Sequence, residues 1–366
     1  MLQLFTPIVY LFLLIIVGSG IGKIKIRGVS LGTAGVLGAS LIFGMLGNLL
    51  GDINVGDKIV VFYESSHDQI YSFLSSVGSS IFIAVVGLEA GKEFFKSNTR
   101  KKLRAFFSGV ITVMCGTICT FIICSLDNRF SHELLLGLFA GSMTSTPTLT
   151  AICDLSVNSN EAVAGYGISY CFGLISIVLF VGMLSRKHKS NVEFEIPESE
   201  NCLTKGNDLV IVSITVLSGY FLKCLFPIGA TGGILASAVL VGILISKSNI
   251  ALQCDILREL GLMMFFIGSG VPAGAELIEL FSPKLMVYGL SISLVAIFGG
   301  YFFSKKVLIM LELDTLSVLC GGMTSTPAIG ILKKRDKTVD LSLYAVSYIG
   351  AIFALIFSVK ILYWLI

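Results

Sequence analysis

Two seven-residue phrases hold most of the chemistry this chain could perform inside a lipid phase: GSMTSTP at 141–147 and GGMTSTP at 321–327. They differ at one position and begin 180 residues apart. Threonine caps a helix and proline starts one without wasting a donor, so Thr146–Pro147 and Thr326–Pro327 read as N-cap followed by N1. The residue before a proline is pushed out of the α region, which breaks each helix at that threonine. The turn after such a break presents unpaired N–H groups and a partial positive charge. It suits a carboxylate or another anion, at roughly 0.3–2 kcal/mol per helix end. Thr144, Ser145, Thr324 and Ser325 add hydroxyls that donate or accept, and Gly141 and Gly321 allow close backbone approach. With Thr146, Pro147, Thr326 and Pro327 they form the candidate substrate-binding set. For one copy alone, back-bonding of the hydroxyls to helix carbonyls is the favoured reading. A second copy at a matching position reverses that weighting.

The elements that must hold these phrases are membrane helices. The chain has 366 residues, 55% of them hydrophobic and 13% charged, and apolar runs of spanning length recur from end to end. The runs are continuous and long, which excludes a β-barrel. The first, LFTPIVYLFLLIIVGSGIG, lacks a basic n-region and an A-x-A-type cleavage site and reads as a retained helix. A net charge of +3 gives no case for a nucleic-acid partner. Nine cysteines, Cys115, Cys119, Cys124, Cys153, Cys171, Cys224 and Cys320 among them, form no C-x-x-C pair and read as buried thiols. His67, His132 and His188 fall in expected loops, so neither a metal nor a cofactor is expected.

Other matches accompany the phrases. GVLGASLIFGML at 35–46 parallels GILASAVLVGIL at 233–244, VGLEAGKEF at 86–94 parallels SGVPAGAEL at 269–277, and GYGISY at 165–170 weakly parallels SLYAVSY at 342–348. They keep their order, as an internal duplication requires. The expected organisation is a first repeat over 1–185, a polar cytoplasmic linker over 186–208 and a second repeat over 209–366, each repeat with six apolar segments.

Loop charge sets the topology. If every segment crosses, KIKIR (23–27) and KSNTRKKLR (96–104) share a side and RKHK (186–189) lands opposite. If the fifth segment dips in and returns, all three are cytoplasmic. The same correction in the second half leaves only Lys58, Arg129, Lys223, Lys284 and Lys360 outside, of 26 Lys and Arg. About ten crossings and two re-entrant segments follow, with both termini outside. Five crossings per half is odd, so the second half is inverted relative to the first. Both phrases lie in the re-entrant segments, and their tips meet near the midplane, where secondary transporters hold substrate.

GIGKIKIRGVSLGTAGVLGASLIFGMLG, IFIAVVGLEAGKEFF, LLLGLFAGSMTSTPTL and GYGISYCFGLISIVLF together resemble the aspartate:alanine exchanger family of bacterial transporters. That family has a duplicated membrane domain with a G-x-x-T-x-T-P-A-L-like motif in each copy. The resemblance covers nearly the whole chain. It implies an all-α polytopic fold of elevator type, placed in the bacterial inner membrane. Members commonly carry soluble regulatory domains between the halves, for which this linker is too short. The proline that often follows the S-Y motif near Tyr170 is absent, and Leu174–Ile175 continue instead.

Ser169–Tyr170 and Ser347–Tyr348 are further substrate-contact candidates, weighed evenly against helix packing. Glu89, Glu93 and Glu276 read as interfacial, because a charge in the membrane is costly. Asp154, two turns after the first phrase and matched by Lys334, is a weak ion-coupling candidate beside Asp340, Glu89 and Glu161. The expected function is a secondary antiporter that moves small amino acids or carboxylates, anionic or zwitterionic, by alternating access. A sodium- or proton-coupled symporter is the alternative, and a channel a more remote one. Catalysis by Ser or Thr would need a general base, and no His or Lys accompanies either phrase inside the membrane. The expected assembly is a homodimer in a lipid bilayer.

Overall fold

The computed structural model of the chain describes residues 7–26, 29–30, 32–51, 53–55, 58–60, 67–93, 99–127, 129–156, 159–185, 204–205, 208–225, 229–246, 250–251, 254–336 and 338–365. Most of the expected linker, with its RKHK run, and the side chain of Glu93 lie outside the described residues. The helices of the first stretch are α1 (Pro7–Gly22), α2 (Ala34–Leu50), α3 (Asp68–Glu93), α4 (Thr99–Leu126), α5 (His132–Ser142), α6 (Thr146–Leu155) and α7 (Ser159–Leu184). The second stretch has α8 (Asp208–Leu225), α9 (Gly229–Ser246), α10 (Asp255–Leu280), α11 (Pro283–Lys306), α12 (Glu312–Gly322), α13 (Thr326–Arg335) and α14 (Leu341–Leu365). Three pairs of strands, each strand two or three residues long, decorate the loops. His132 opens α5 instead of lying in a loop.

This is a polytopic all-α membrane protein. Among the described residues eight helices are long and apolar enough to cross a bilayer, and α1 and α2 are apolar but shorter, at 16 and 17 residues. Ile16, Phe73, Leu217, Phe357 and Trp364 point outward and are more than half exposed, a lipid-facing surface that water would not tolerate in such quantity. The fifth apolar segment of each stretch is divided into two short helices.

In lipid the hydrophobic effect does not drive helices together, so close packing through small residues must do it. Helices α3 and α10 show this. A Cβ on Gly78 would strike Gly261 and Phe265, and one on Gly261 would strike Gly78 and Phe82, so the two backbones touch. Further along, Gly268 lies against Tyr71 and Ser75. As α10 advances, its contacts on α3 run backward, so the two helices are antiparallel. Helices α4 and α11 are antiparallel too: Ser108 Oγ meets Ser304 Oγ at 2.6 Å, Thr112 abuts Gly300, and Gly116 faces Ala296.

Helix α5 instead runs parallel to α7. Ser131 donates to Glu161 beside both N-termini, Gly137 packs on Ala162, Gly141 on Tyr166, and Ser142 on Gly173. Only 156–158 separate α6 from α7, and that span reaches at most about 14 Å. A straight continuation of α5 through α6 would end roughly 30 Å from the start of α7. The chain therefore doubles back between α5 and α6. The same reasoning holds for α12 and α13, because Ser317 and Ser347 tie α12 alongside the start of α14 through Asp340 O at 3.0 Å and Val318 O at 2.7 Å.

The turn that leads into α5 is clamped by charge. Asp127 accepts from Arg129 Nε and Nη2, each at 2.7 Å, and from the Tyr288 hydroxyl of α11 at 2.8 Å. The Arg129 guanidinium holds the Asp127 carboxyl well below the usual carboxylate range. A depressed native pKa contributes stability above the unfolded value, near 3.9 for Asp, that is lost as pH falls through the native value. Asp127→Asn should therefore lower the melting temperature by the same amount at about pH 8 and about pH 5. The two proteins should converge only in stronger acid. A gap that closes between about pH 6 and pH 4.5 would contradict this clamp.

Candidate functional site

Both TSTP phrases sit at breaks with the same backbone path. Met143 and Met323 end their helices at φ −86° and −88°. Thr144 and Thr324 then turn left-handed, at φ 53° and 49°. Ser145 and Ser325 return to extended geometry at φ −106° and −98°. The Ser145 N–H reaches Ala140 O and the Thr144 N–H reaches Gly141 O, both at 2.9 Å; Ser325 to Cys320 and Thr324 to Gly321 repeat this at 2.9 Å. This is the Schellman closure, which normally places glycine where each threonine stands. A β-branched residue there costs on the order of 1–3 kcal/mol.

The strain is held by a reciprocal lock. Thr144 Oγ1 donates to Met323 O at 2.5 Å, and Thr324 Oγ1 donates to Met143 O at 3.0 Å. Each hydroxyl satisfies the carbonyl at the other half's break, and both threonines are buried at 7% exposure. The two phrases are thus brought together, and glycine in their place could not bridge them.

The cap register is one residue earlier than expected. Ser145 and Ser325 are the N-caps, Thr146 and Thr326 occupy N1, and the prolines follow at N2. The reason is that the extended conformation forced before helix restart falls on the serine, while the threonine already joins the helix. Thr146 Oγ1 meets the Tyr166 hydroxyl at 3.0 Å, whereas Thr326 is exposed. Ser145 Oγ accepts from Thr148 Oγ1 at 2.7 Å. Position 328 is alanine, and Ser325 Oγ is buried without a partner. Pro147 is buried and Pro327 half-buried.

Gly141 and Gly321 let α5 and α12 seat against the carbonyls of Tyr166 and Tyr344, where any Cβ would collide. Ser169 Oγ donates to Leu138 O at 2.8 Å and Ser347 Oγ to Val318 O at 2.7 Å, so both serines stitch helices. Tyr170 stacks on Tyr166 with ring centres 5.2 Å apart, and Tyr348 on Tyr344 at 5.8 Å.

A cavity of about 300 Å³ opens between α3, α6, α7 and α10. Ser72, Ser75, Ser76 and Ser79 line it from one face of α3, and Thr150, Cys153 and Asp154 from α6. Pro272 and Gly268 lie on its far wall, where the proline removes one α10 hydrogen bond to the Gly268 carbonyl. Of the candidate residues only Asp154 lines this space. It is exposed, and its Oδ2 accepts the Thr231 N–H at 2.8 Å, capping the start of α9. The serine face is legible in the sequence as hydroxyls at i, i+3, i+4 and i+7 of an apolar helix, a spacing outside the matches between the two stretches. Glu276 accepts from Asn160 at 2.7 Å, and Glu89 pairs with Arg258 at 2.8 Å. Asp340 caps α14 through Ser342 at 3.0 Å.

The lock predicts an order among variants at position 144. Thr144→Val keeps the left-handed strain and strands Met323 O, so it should destabilise by about 1–3 kcal/mol. Thr144→Gly strands the same carbonyl but relieves the strain, and should cost less. Thermal unfolding of both variants in one detergent tests this; a glycine variant worse than the valine one would refute it.

The profile described as "Predicted Permease Membrane Region" of the aspartate:alanine exchangers matches residues 10–186 and 209–364. An uncharacterized transporter of Bacteroides thetaiotaomicron is 31% identical over 185 residues, 50% of this chain and 31% of that protein. An uncharacterized transporter of Rhodopirellula baltica is 31% identical over 175 residues, 48% of this chain and 29% of that protein. A transport protein of Enterobacter sp. strain 638 is 30% identical over 207 residues, 55% of this chain and 35% of that protein. The matched stretch spans about a third of the length of these curated relatives. With its paired TSTP breaks and a match on both stretches, the chain belongs to the aspartate:alanine exchanger family.

Proposed function

We propose that this chain is the membrane region of a bacterial inner-membrane antiporter that exchanges small amino acids or carboxylates by alternating access. The observation that carries the proposal is the reciprocal bond between the two TSTP breaks, Thr144 to Met323 O and Thr324 to Met143 O. It sets the N-termini of α6 and α13 side by side, two partial positive charges in a low-dielectric setting suited to a carboxylate. The antiparallel pairs α3/α10 and α4/α11 support two inverted repeats, one over 1–185 and one over 209–366. The doubling back of α5–α6 and α12–α13 supports two re-entrant segments that meet at the substrate site, in an elevator-type carrier.

Ser325 refines the assignment. A buried hydroxyl without a partner costs about 1–3 kcal/mol, and its equivalent Ser145 avoids that cost through Thr148. In this reading a substrate oxygen completes Ser325, with exposed Thr326 beside it and Thr146–Tyr166 on the opposite tip. Asp154 already caps α9 and is exposed, so it supports ion coupling poorly, and strict exchange is the favoured variant.

Exchange in liposomes tests this. Preloaded unlabelled alanine, aspartate or another small carboxylate should accelerate uptake of the labelled solute from the opposite side; uptake indifferent to the trans solute would point to a channel, and uptake driven by a sodium or proton gradient alone to a symporter. Ser325→Ala should leave the melting temperature unchanged or higher, because it deletes an unsatisfied group, while it weakens exchange by roughly tenfold in KM. Thr326→Val should weaken exchange similarly. If both variants exchange like the parent, these residues do not hold the substrate.

A further inference from the structure

The serine-lined cavity has an equivalent elsewhere in the molecule, and it is filled differently. VGLEAGKEF and SGVPAGAEL fix an offset of 183 residues between α3 and α10. The crossing obeys the same offset, with Gly78 matched to Gly261 and Phe82 to Phe265, each glycine lying against the other half's phenylalanine. In this register Ser72, Ser75 and Pro272, three residues of the cavity wall, correspond to Asp255, Arg258 and Glu89. Arg258 is bonded to both of the others. Arg258 Nη1 donates to Glu89 Oε2 at 2.8 Å and Nη2 to Asp255 Oδ1 at 3.0 Å.

Two equivalent places between the same two helices therefore differ in kind. One is a hydroxyl-lined cavity, and the other is bridged by an ion cluster that ties α10 to α3. Because the helices are antiparallel, the two places lie toward opposite ends of the pair. Loop charge puts Ser72–Ser79 toward the outer side and Arg258 toward the inner side. The ion pair is partly exposed, with side-chain exposures of 35% for Arg258 and 42% for Glu89. Such pairs are weak enough to break and reform, as a reversible closure must.

We propose that the Glu89–Arg258 pair, with Asp255 holding the guanidinium from its other side, is the inner gate of a path whose outer mouth is the serine-lined cavity. This rests on the alternating-access reading above. The cavity shows what an open end looks like, and the ion cluster is the same place when shut. Opening the inner end separates Arg258 from Glu89 and draws the serine wall together at the outer end. Arg258 then stays with Asp255 on α10 while Glu89 leaves with α3, so the opened inner cavity is walled by the separated halves of the ion cluster.

Accessibility of Cys153, which lines the outer cavity, tests the proposal without any substrate. In a variant that keeps Cys153 and replaces the other cysteines, a membrane-impermeant maleimide added outside should label it. Glu89→Gln and Arg258→Gln should each lower that labelling rate by about threefold or more. A cysteine at Leu262, the equivalent of Ser79, should become correspondingly more reactive from the inner face. Joining cysteines placed at 89 and 258 with a short bifunctional maleimide should hold Cys153 reactive from outside. Unchanged Cys153 labelling in both glutamine variants, with melting temperatures near the parent's, would overturn the gate whether or not exchange is seen. If a variant unfolds, the cross-linked protein decides, and loss of outside labelling there also overturns it. Labelling that shifts as expected in a protein without counterflow would keep the gate and sink the exchanger.

Discussion

Thr144 and Thr324 occupy a backbone conformation that disfavours them, and they hold it because each hydroxyl reaches a carbonyl exposed by the other's helix break. The rest of the arrangement follows from that exchange. A helix broken inside a bilayer leaves carbonyls that no water can reach, and each must be satisfied within the protein. Here the two breaks satisfy one another. The remedy works only if both phrases are present and meet at this point, so the strained turns and the contact between them stand or fall together.

Around that contact, nearly every hydroxyl has a structural task. Ser169 and Ser347 stitch α7 to α5 and α14 to α12, and Ser142 Oγ reaches Gly289 O at 2.9 Å to bind α5 to α11. Several polar residues of this chain serve as glue between helices that the hydrophobic effect does not hold together in lipid. Against that background a hydroxyl without a task stands out. Ser325 differs from Ser145 because alanine stands where threonine does three residues on, and this adds to the Thr146–Tyr166 bond in making the two tips chemically unequal.

Much of this could be read from the chain itself. The apolar runs mark six segments in each stretch, and the repeated phrases mark where the fifth of each divides into two helices. The cap register slipped by one residue, because a proline constrains its predecessor without saying whether that predecessor lies inside or before the helix. The partner of each Thr144 and Thr324 hydroxyl was invisible, since a carbonyl of Met143 or Met323 has no signature in sequence. The cavity was missed for a different reason. Repeats draw attention to what two halves share, and the serine face of α3 is a place where they differ.

The bare crossing of α3 and α10 has a mechanical consequence. Where Gly78 meets Gly261 the two backbones touch, with Met264 and Ile81 beside the contact and the Ser75–Ser269 hydroxyl pair at 2.6 Å about a turn away. Two rods that meet on backbone at one point can tilt about that point with little repacking there, whereas interdigitated leucines would act as detents. The junction therefore resembles a plain bearing. It keeps the helices at a fixed separation and leaves their relative angle to be decided by whatever happens toward their ends.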